Sequence, residues 1–345
     1  MSNTTYFRSA ILAAHPFDVH YQDAALTVSQ GGQTVLQLGV DLGQQCCLSR
    51  LPGVPGQGRQ VEALLAALET VSATHPGLTS ITLRAEQWGE VAAELSARGI
   101  ALPDGAALTV DLALLWQLPE LWLAKAAQQP YPQAHRRSGE RWHPLRPPKP
   151  ASYVYERYIP WLGQSIAFRV ASVEQDLDIL HKWMNDPRVA QFFQEEGDLD
   201  YHRRYLHARL DDPHMLPLIA EFDRVPFGYM EVYWAQENRL GPYYDAHDYD
   251  RGWHVLVGEA AYSGGQWISA WLPSLMHYMF LDEPRSQRIV GEPAASHLRQ
   301  IRNLERSGFA ALKDVEFPHK RATLVMLLRE KYFANRLWRP NSLNS

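Results

Sequence analysis

The feature that most constrains this chain is a glycine-containing loop at 258–267, which separates an apolar strand pattern at 252–257 from a helical pattern beginning at Gln266. The pattern predicts a helix of about fifteen residues with Pro273 as a kink site. The first amides of a helix have no intrahelical acceptor and lie at the positive end of its dipole, so this arrangement favours binding of a phosphate-like anion. The loop lacks the lysine of a Walker loop and the spacing of a Rossmann fingerprint. A tight turn before a packed helix therefore stays an open alternative.

The rest of the second half predicts helices and strands that follow one another around this loop. Expected strands lie at 165–170, 216–222, 227–234, 288–291 and 323–328, and expected helices at 173–184, 200–210, 298–307 and 330–337. A turn at 223–226 joins two of the strands, and Gly308 is a C-cap. This order predicts an α+β domain.

The first half predicts a separate and smaller α+β domain. A hairpin pattern at 25–40 precedes helical patterns at 61–71 and 88–95 and a strand pattern at 108–115. Prolines and arginines dominate 136–150, a composition that favours extended, solvated chain. We therefore expect an N-terminal domain at 1–135 that is not catalytic, a linker at 136–150 and a second domain at 151–345.

Charge and cysteine content exclude several classes of function. The net charge is -5, and the dense basic run at 136–149 coincides with the expected linker, so no nucleic acid is expected as a ligand. The two cysteines, Cys46 and Cys47, are adjacent, which disfavours a mutual disulfide and suits a reducing compartment. The longest uncharged run, 260–281, contains glycine, proline and histidine, so no membrane span is expected there. These features predict a cytoplasmic location.

Four sequence motifs carry a specific resemblance to a known protein family. They are GYMEVYW at 228–234, DRGWHVLVG at 250–258, WLPSLMH at 271–277 and Glu292-Pro293. With the element order, these motifs resemble the siderophore-biosynthesis acyltransferases of the GNAT superfamily, over about 153–329. The resemblance implies a C-terminal GNAT fold with a mixed central sheet. Longer members are similar in carrying an extra, degenerate GNAT-like domain at the N-terminus, as expected here.

The resemblance also implies acetyl-CoA or another acyl-CoA as co-substrate. In the family the loop amides hold the coenzyme A pyrophosphate, and the preceding strand splays from its neighbour to bond the pantetheine arm. The residues that this places at the cofactor are Val255, Leu256, Val257, Gly258, Tyr262, Gly264, Gly265, Gln266 and Trp267. Backbone amides at 256–258 are the candidates for stabilising the oxyanion.

His254 is the candidate catalytic residue. Strand alternation places it on the face opposite Trp253 and Val255, just before the backbone that would receive the thioester. The histidine of the matching family motif is catalytic, and a group that titrates near neutrality suits proton transfer. A core histidine with satisfied hydrogen bonds is the alternative.

The chain departs from the family pattern in two places. Leu304 stands where many GNAT enzymes carry a general-acid tyrosine, and Ala294 and Ala295 follow Glu292-Pro293 where the family typically has an aspartate nearby. Ser296 or His297 then substitutes as a catalytic group, or Asp250 orients His254, or the activity is weakened.

Acidic and aromatic residues are expected to line the acceptor site. These are Glu231, Tyr233, Trp234 and Asp250, which as a rim would suit a cationic amine. An ordinary loop with solvated charges is the alternative. His247, Asp248, Asp250 and His254 show no recognised ligand spacing, so no metal is expected.

The sequence therefore predicts an acyl-CoA-dependent N-acyltransferase. Its expected product is a hydroxamate, formed on an N-hydroxylated lysine, ornithine or small diamine in siderophore biosynthesis. Two alternatives stay open: an acetyltransferase of an ordinary amine such as an aminoglycoside or a lysine side chain, and a non-catalytic acyl-CoA-binding or scaffold protein. The sequence leaves a homo-oligomer open.

Overall fold

The computed structural model describes residues 5–9, 16–52, 59–125 and 130–340. Contacts between residues divide the chain into two units, residues 1–126 with 156–165 and residues 127–155 with 166–345.

The first unit is built on an eight-stranded sheet. Its strands are β1 (Thr5–Ser9), β2 (Phe17–Gln22), β3 (Ala25–Gln30), β4 (Gln33–Asp41), β5 (Cys47–Arg50), β6 (Ser80–Arg84), β7 (Ala101–Asp104) and β8 (Ala107–Asp111), and its helices are α1 (Gln60–Thr74), α2 (Gly89–Ala97) and α3 (Leu112–Leu115). The strand order is β1-β2-β3-β4-β5-β6-β8-β7. β5 pairs with β6 in parallel, whereas the other pairings described in this sheet are antiparallel.

The second sheet also has eight strands. They are β11 (Tyr153–Ile159), β12 (Gln164–Val170), β13 (Met215–Phe222), β14 (Val225–Trp234), β15 (Arg251–Val257), β16 (Arg288–Gly291), β17 (Ala310–Glu316) and β18 (Arg321–Leu328). The helices are α4 (Val173–Met184), α5 (Pro187–Phe193), α6 (Leu199–Asp211), α7 (Gly265–Asp282), α8 (Leu298–Arg306) and α9 (Arg329–Ala334). The strand order is β11-β12-β13-β14-β15-β16-β18-β17, and β15 pairs with β16 in parallel.

The two sheets share one topology. In both, the fifth and sixth strands form a parallel pair, and the last two strands exchange places in the order. The sheets differ after the second strand, where the second sheet has α4, α5 and α6 inserted, whereas the first sheet has a two-residue turn at Asp23 and Ala24 with positive φ angles. The mixed central sheet predicted from the sequence is confirmed, and the first sheet is a reduced repeat of the second.

Local sequence explains the helices that cover the second sheet. The Ser172 hydroxyl accepts a hydrogen bond from the Gln175 amide and caps α4, and the Asp198 carboxylate caps α6 through the Tyr201 amide. The apolar faces of α4 and α6 pack against the sheet in one buried cluster, whose members include Leu180, Trp183, Met184, Tyr205, Leu206, Ile219, Tyr229 and Leu256. This cluster fixes one face of β14 and β15.

Two expected elements differ from the structure. The strand expected at 108–115 ends at Asp111, because the Asp111 carboxylate accepts a hydrogen bond from the Ala113 amide and caps the short helix α3. The turn expected at 223–226 is a two-residue turn at Asp223 and Arg224, both with positive φ, between β13 and β14.

The segment expected to be an extended linker contains paired structure. β9 (His135–Ser138) and β10 (Arg141–Pro144) form an antiparallel hairpin, and the Arg146 guanidinium bonds both oxygens of Glu237 at 2.6 and 2.8 Å. Composition gave no sign of that long-range ion pair. The domain boundaries at 135 and 150 stay a prediction.

In the described residues, no helix combines the length and the apolar character that crossing a bilayer would require. The 18-residue helix α7, whose expected length was about fifteen residues, contains Pro273 in its interior.

Candidate active site

Strand register brings a carboxylate to the candidate catalytic histidine. β14 and β15 pair antiparallel with Glu231 directly opposite His254, so the two side chains lie on the same face of the sheet. Glu231 Oε2 lies 2.8 Å from His254 Nδ1. Because an ionised carboxylate can only accept, Nδ1 carries the proton and Nε2 is left as the reactive nitrogen.

Glu231 is a buried anion whose surroundings match its charge. It is 1% exposed, and its other oxygen receives hydrogen bonds from the hydroxyls of Tyr205 and Tyr229 and from Arg209 Nε at 3.0 Å. Burial alone would raise the pKa of Glu231, but the hydrogen bond and charge of His254 and the charge of Arg209 outweigh it and lower the pKa to about 2. Glu231 is therefore ionised at neutral pH.

A second carboxylate faces the other ring nitrogen. Glu292 follows β16, and its Oε1 lies 3.5 Å from His254 Nε2. Arg239 Nη2 lies 2.8 Å from the same oxygen and 3.4 Å from Nε2, and Tyr233 donates its hydroxyl to Glu292 Oε2 at 3.1 Å. Burial would raise the pKa of Glu292, but hydrogen bonding to His254 and nearby positive charge hold it well below its usual range. We call Glu231 and Glu292 the carboxylate pair.

The carboxylate pair sets the protonation of His254. Burial alone would lower the pKa of the imidazole, but the hydrogen bond to Glu231 and the negative charges of Glu231 and Glu292 outweigh it, so the pKa is raised above its ordinary value. The side chain is 23% exposed, which leaves the ring accessible to a substrate. A fixed ring with one accessible nitrogen can take and return a proton.

The strands β15 and β16 separate beside this histidine. Their pairing is confined to Arg251 with Ile289 and Gly252 with Val290, although β15 continues to Val257. We call this opening beyond Gly252 the gap. It matches the splayed strands that the family resemblance implies.

Hydrogen-bond alternation decides which amides face the gap. Gly258 donates its amide to the Phe227 carbonyl on the β14 side, and antiparallel alternation turns the Leu256 amide the same way. The amides of Val255 and Val257 therefore face the gap. Our expectation for Leu256 and Gly258 as oxyanion donors is wrong for this reason, and the candidates are Val255 and Val257.

The loop after β15 leads into the N-terminus of a helix. Gly264 has φ of +119°, which favours glycine, and α7 begins at the exposed Gly265 and Gln266. The rings of Tyr262 and Trp267 pack against each other at 4.7 Å and against Phe222 at 5.6 and 4.9 Å. These two residues therefore brace the loop, while the first amides of α7 can receive an anion.

Arg188 of α5 fixes the end of β15. Its Nη1 donates to the Val257 carbonyl at 2.9 Å and its Nη2 donates to the Gly258 carbonyl at 2.7 Å. The backbone at the mouth of the gap is thereby held by a side chain from the helices that cover the sheet.

The four residues expected on an acceptor rim are all buried in the structure. Glu231 and Tyr233 are buried beside His254, and Trp234 lies on the opposite face, between the guanidiniums of Arg146 and Arg251 at 4.2 and 4.1 Å from its ring. Asp250 is 1% exposed. Its oxygens bond Arg288, Tyr244 and the His247 amide. Acidic residues are usually exposed, and these are buried because cations distant in sequence pair with them.

Ser296 and His297 do not occupy the position expected of them. Ser296 is exposed, and His297 stacks on Phe192 at 4.6 Å and bonds Gln300 through Nδ1. The carboxylate pair instead supplies the groups that orient His254. Of the other expected substitutes, His297 and Asp250 are engaged with other partners, and Ser296 is exposed.

Possible metal ligands converge once in the described residues, in a group that does not include His254. His143, His214 and Glu237 offer donor atoms within 4.8 Å of one another. Arg146 Nε and Nη2, however, already bond both oxygens of Glu237. The group is therefore a buried ion-pair cluster in which Arg146 supplies the positive charge.

Sequence reasoning missed four residues of the site: Tyr205, Arg209, Arg239 and Glu292. Glu292 belongs to one of the recognised sequence motifs, but the sequence alone assigned it no role. Its proximity to His254 depends on the parallel pairing of β15 and β16, which local sequence does not reveal. A charged residue in an otherwise apolar strand, as Glu231 is in β14, was the one signal of a buried partner.

Comparison with known proteins places the chain among acetyltransferases. The model of the acetyltransferase (GNAT) domain family matches residues 172–317. The chain is 37% identical over 278 residues to N(6)-hydroxylysine O-acetyltransferase of Escherichia coli, covering 78% of this chain and 84% of that protein. It is 44% identical over 208 residues to N(5)-hydroxyornithine:cis-anhydromevalonyl coenzyme A-N(5)-transacylase of Beauveria bassiana, covering 59% of this chain and 45% of that protein.

A solved structure has the same fold. An uncharacterized protein of Bacillus halodurans aligns with a TM-score of 0.52 at 27% identity, over 55% of this chain and 96% of that one. The chain thus spans most of the Escherichia coli relative and the shared region spans less than half of the Beauveria bassiana protein.

Proposed function

Since the chain belongs to the siderophore-biosynthesis family of GNAT acyltransferases, we propose that it acylates an N-hydroxylated lysine, ornithine or small diamine with an acyl-CoA. Acetyl-CoA is the expected donor, and the product is a hydroxamate. The observation that carries this proposal is His254, which the carboxylate pair orients at the edge of the gap.

The acceptor chemistry suits the arrangement around His254. A hydroxylamine is much less basic than an alkylamine, so its nitrogen is largely uncharged at neutral pH and attacks the thioester carbonyl directly. The new C–N bond forms, and His254 Nε2 takes the proton that the nitrogen releases. The amide of Val255, which is the gap-facing amide next to His254, stabilises the developing oxyanion, the C–S bond breaks, and the proton reaches the departing thiolate.

Coenzyme A would be held by backbone rather than by a cluster of basic side chains. The first amides of α7, at Gly264, Gly265 and Gln266, suit its pyrophosphate, and the open edge of β15 suits hydrogen bonds to the pantetheine arm. No metal is required for these steps.

The product explains why hydroxylation and acylation would belong together. A hydroxamate presents two hard oxygens, which suit ferric iron. We therefore place the enzyme in iron acquisition and in the cytoplasm, where acyl-CoA is available.

Thiol release tests this function directly. The full-length protein is mixed with acetyl-CoA and with hydroxylated lysine, ornithine or a hydroxylated diamine, and free thiol and product mass are followed. We expect thiol release that depends on the acceptor and a product that gains one acetyl group and forms a coloured ferric complex. Absence of thiol release with every acceptor and every thioester would support a non-catalytic protein instead.

A further inference from the structure

The gap has a closed end next to His254. Pairing between β15 and β16 resumes at Gly252 and Val290, two residues before His254 along β15. If α7 holds the pyrophosphate, the arm must follow β15 backwards from Gly258 to His254. That path is about 13 Å at about 3.3 Å per residue, which an extended pantetheine arm covers. The acyl group then lies against the closed end.

An aromatic ring closes the face of the gap on which His254 lies. A Cβ added to Gly252 would lie 2.2 Å from Tyr233 Cε2, so the Tyr233 ring lies directly over the Gly252 backbone. Tyr233 is 1% exposed, and its hydroxyl is fixed on Glu292. This ring therefore cannot swing away without breaking contacts of the carboxylate pair.

A second ring closes the opposite face. Trp253 reaches across to β16, since a Cβ on Gly291 would lie 2.9 Å from Trp253 Cη2. The ring is also supported by Phe309, with centroids 5.1 Å apart. Trp253 is 8% exposed, so its side chain fills the space beneath the gap.

We propose that Trp253, together with Tyr233 and the Gly252–Val290 pair, forms the wall that limits the donor to acetyl-CoA and similarly short thioesters. The inference rests on the proposed function, because that function places the thioester beside His254. Trp253, which does not belong to the proton-transfer group, would thus limit the acyl-chain length of the donor. Longer straight chains such as hexanoyl would meet the Trp253 ring at the point where the strands close.

The test compares acetyl-CoA with hexanoyl-CoA on one hydroxylated acceptor. The parent protein should use acetyl-CoA at least about 100-fold faster in kcat/KM, because several methylenes would have no space. Trp253→Ala should raise the hexanoyl-to-acetyl ratio about tenfold or more. Trp253→Leu, which leaves less empty volume, keeps the test available if the alanine variant does not fold.

Trp338→Leu is the matched control, because Trp338 is also buried but packs on Tyr332 and Phe333. It should leave the hexanoyl-to-acetyl ratio unchanged. Equal use of both thioesters by the parent protein, or an unchanged ratio in a folded Trp253 variant, would contradict the proposed role of Trp253 in limiting donor length. Neither result would contradict the proposed acyl transfer. Absence of turnover with either thioester would instead remove the proposed function.

Discussion

Replacing His254 by alanine should lower kcat for acyl transfer by about 100- to 10,000-fold, the range expected when a positioned proton-transfer group is lost. Affinity for coenzyme A should stay close to that of the parent protein, because the proposed contacts with the pyrophosphate come from α7 and not from the imidazole. Steady-state rates and calorimetric titration with coenzyme A measure the two quantities separately.

A second substitution separates chemistry from folding. His254→Ala leaves the buried Glu231 without its Nδ1 partner, which costs about 1–3 kcal/mol in the free energy of unfolding. His254→Asn keeps an amide donor near the Nδ1 position but has no group that takes a proton at neutral pH. Equal loss of kcat in a stable His254→Asn variant supports proton transfer, whereas a rate near that of the parent protein contradicts it.

The pH dependence of kcat/KM also tests whether His254 acts as a base. A base must be neutral to accept a proton, and the pKa of His254 is raised above 6.5, so kcat/KM should rise with pH through a value above 6.5. Glu231→Gln removes one of the negative charges that raise this pKa, so the rise should move to lower pH. A profile that is flat, or that falls over this range, would contradict a base.

Unmodified lysine or diamine should be a far poorer acceptor than its hydroxylated form. An amine with a pKa of about 10.4 is uncharged in roughly 1 molecule in 2,500 at pH 7. The value of kcat/KM should therefore be at least about 1,000-fold lower for the unmodified acceptor than for the hydroxylated one. The difference should shrink about tenfold for each pH unit above 7, as more of the amine loses its proton. Initial rates for both acceptors between pH 7 and pH 9 measure it.

The outcome decides between two kinds of acyltransferase. Similar rates for the hydroxylated and unmodified acceptors at pH 7 would indicate an acetyltransferase of ordinary amines. An O-methylated hydroxylamine serves as the control, because its nitrogen is also weakly basic. If that acceptor also reacts quickly, low basicity rather than a contact with the hydroxyl explains the preference.

Local patterns predicted those parts of the fold that depend on near neighbours. The face on which His254 lies follows from alternation within one strand, and α4 follows from its Ser172 cap and its helical spacing. The loop at Gly264 also could be placed, since a strand, a glycine and a helix follow one another in the sequence. Each of these features is settled within about fifteen residues.

The partners of His254 depend on strand register and could not be read from the sequence. Glu231 meets His254 only because β14 and β15 pair in one particular register, and Glu292 is brought there by the β15–β16 pair. Trp234 and Asp250 were placed on a rim because their types are common at amine sites. In the structure both residues are buried in contacts with arginines distant in sequence, because Arg146 packs on the Trp234 ring and Arg288 donates a hydrogen bond to Asp250.

The structure of the protein with coenzyme A and a hydroxylated acceptor tests the central claim most directly. We predict the pyrophosphate on the amides of Gly264, Gly265 and Gln266, the pantetheine arm in the gap along Val255 and Val257, and the sulfur beside His254 Nε2. Coenzyme A bound away from the start of α7, or a sulfur atom that lies out of reach of the imidazole, would contradict it.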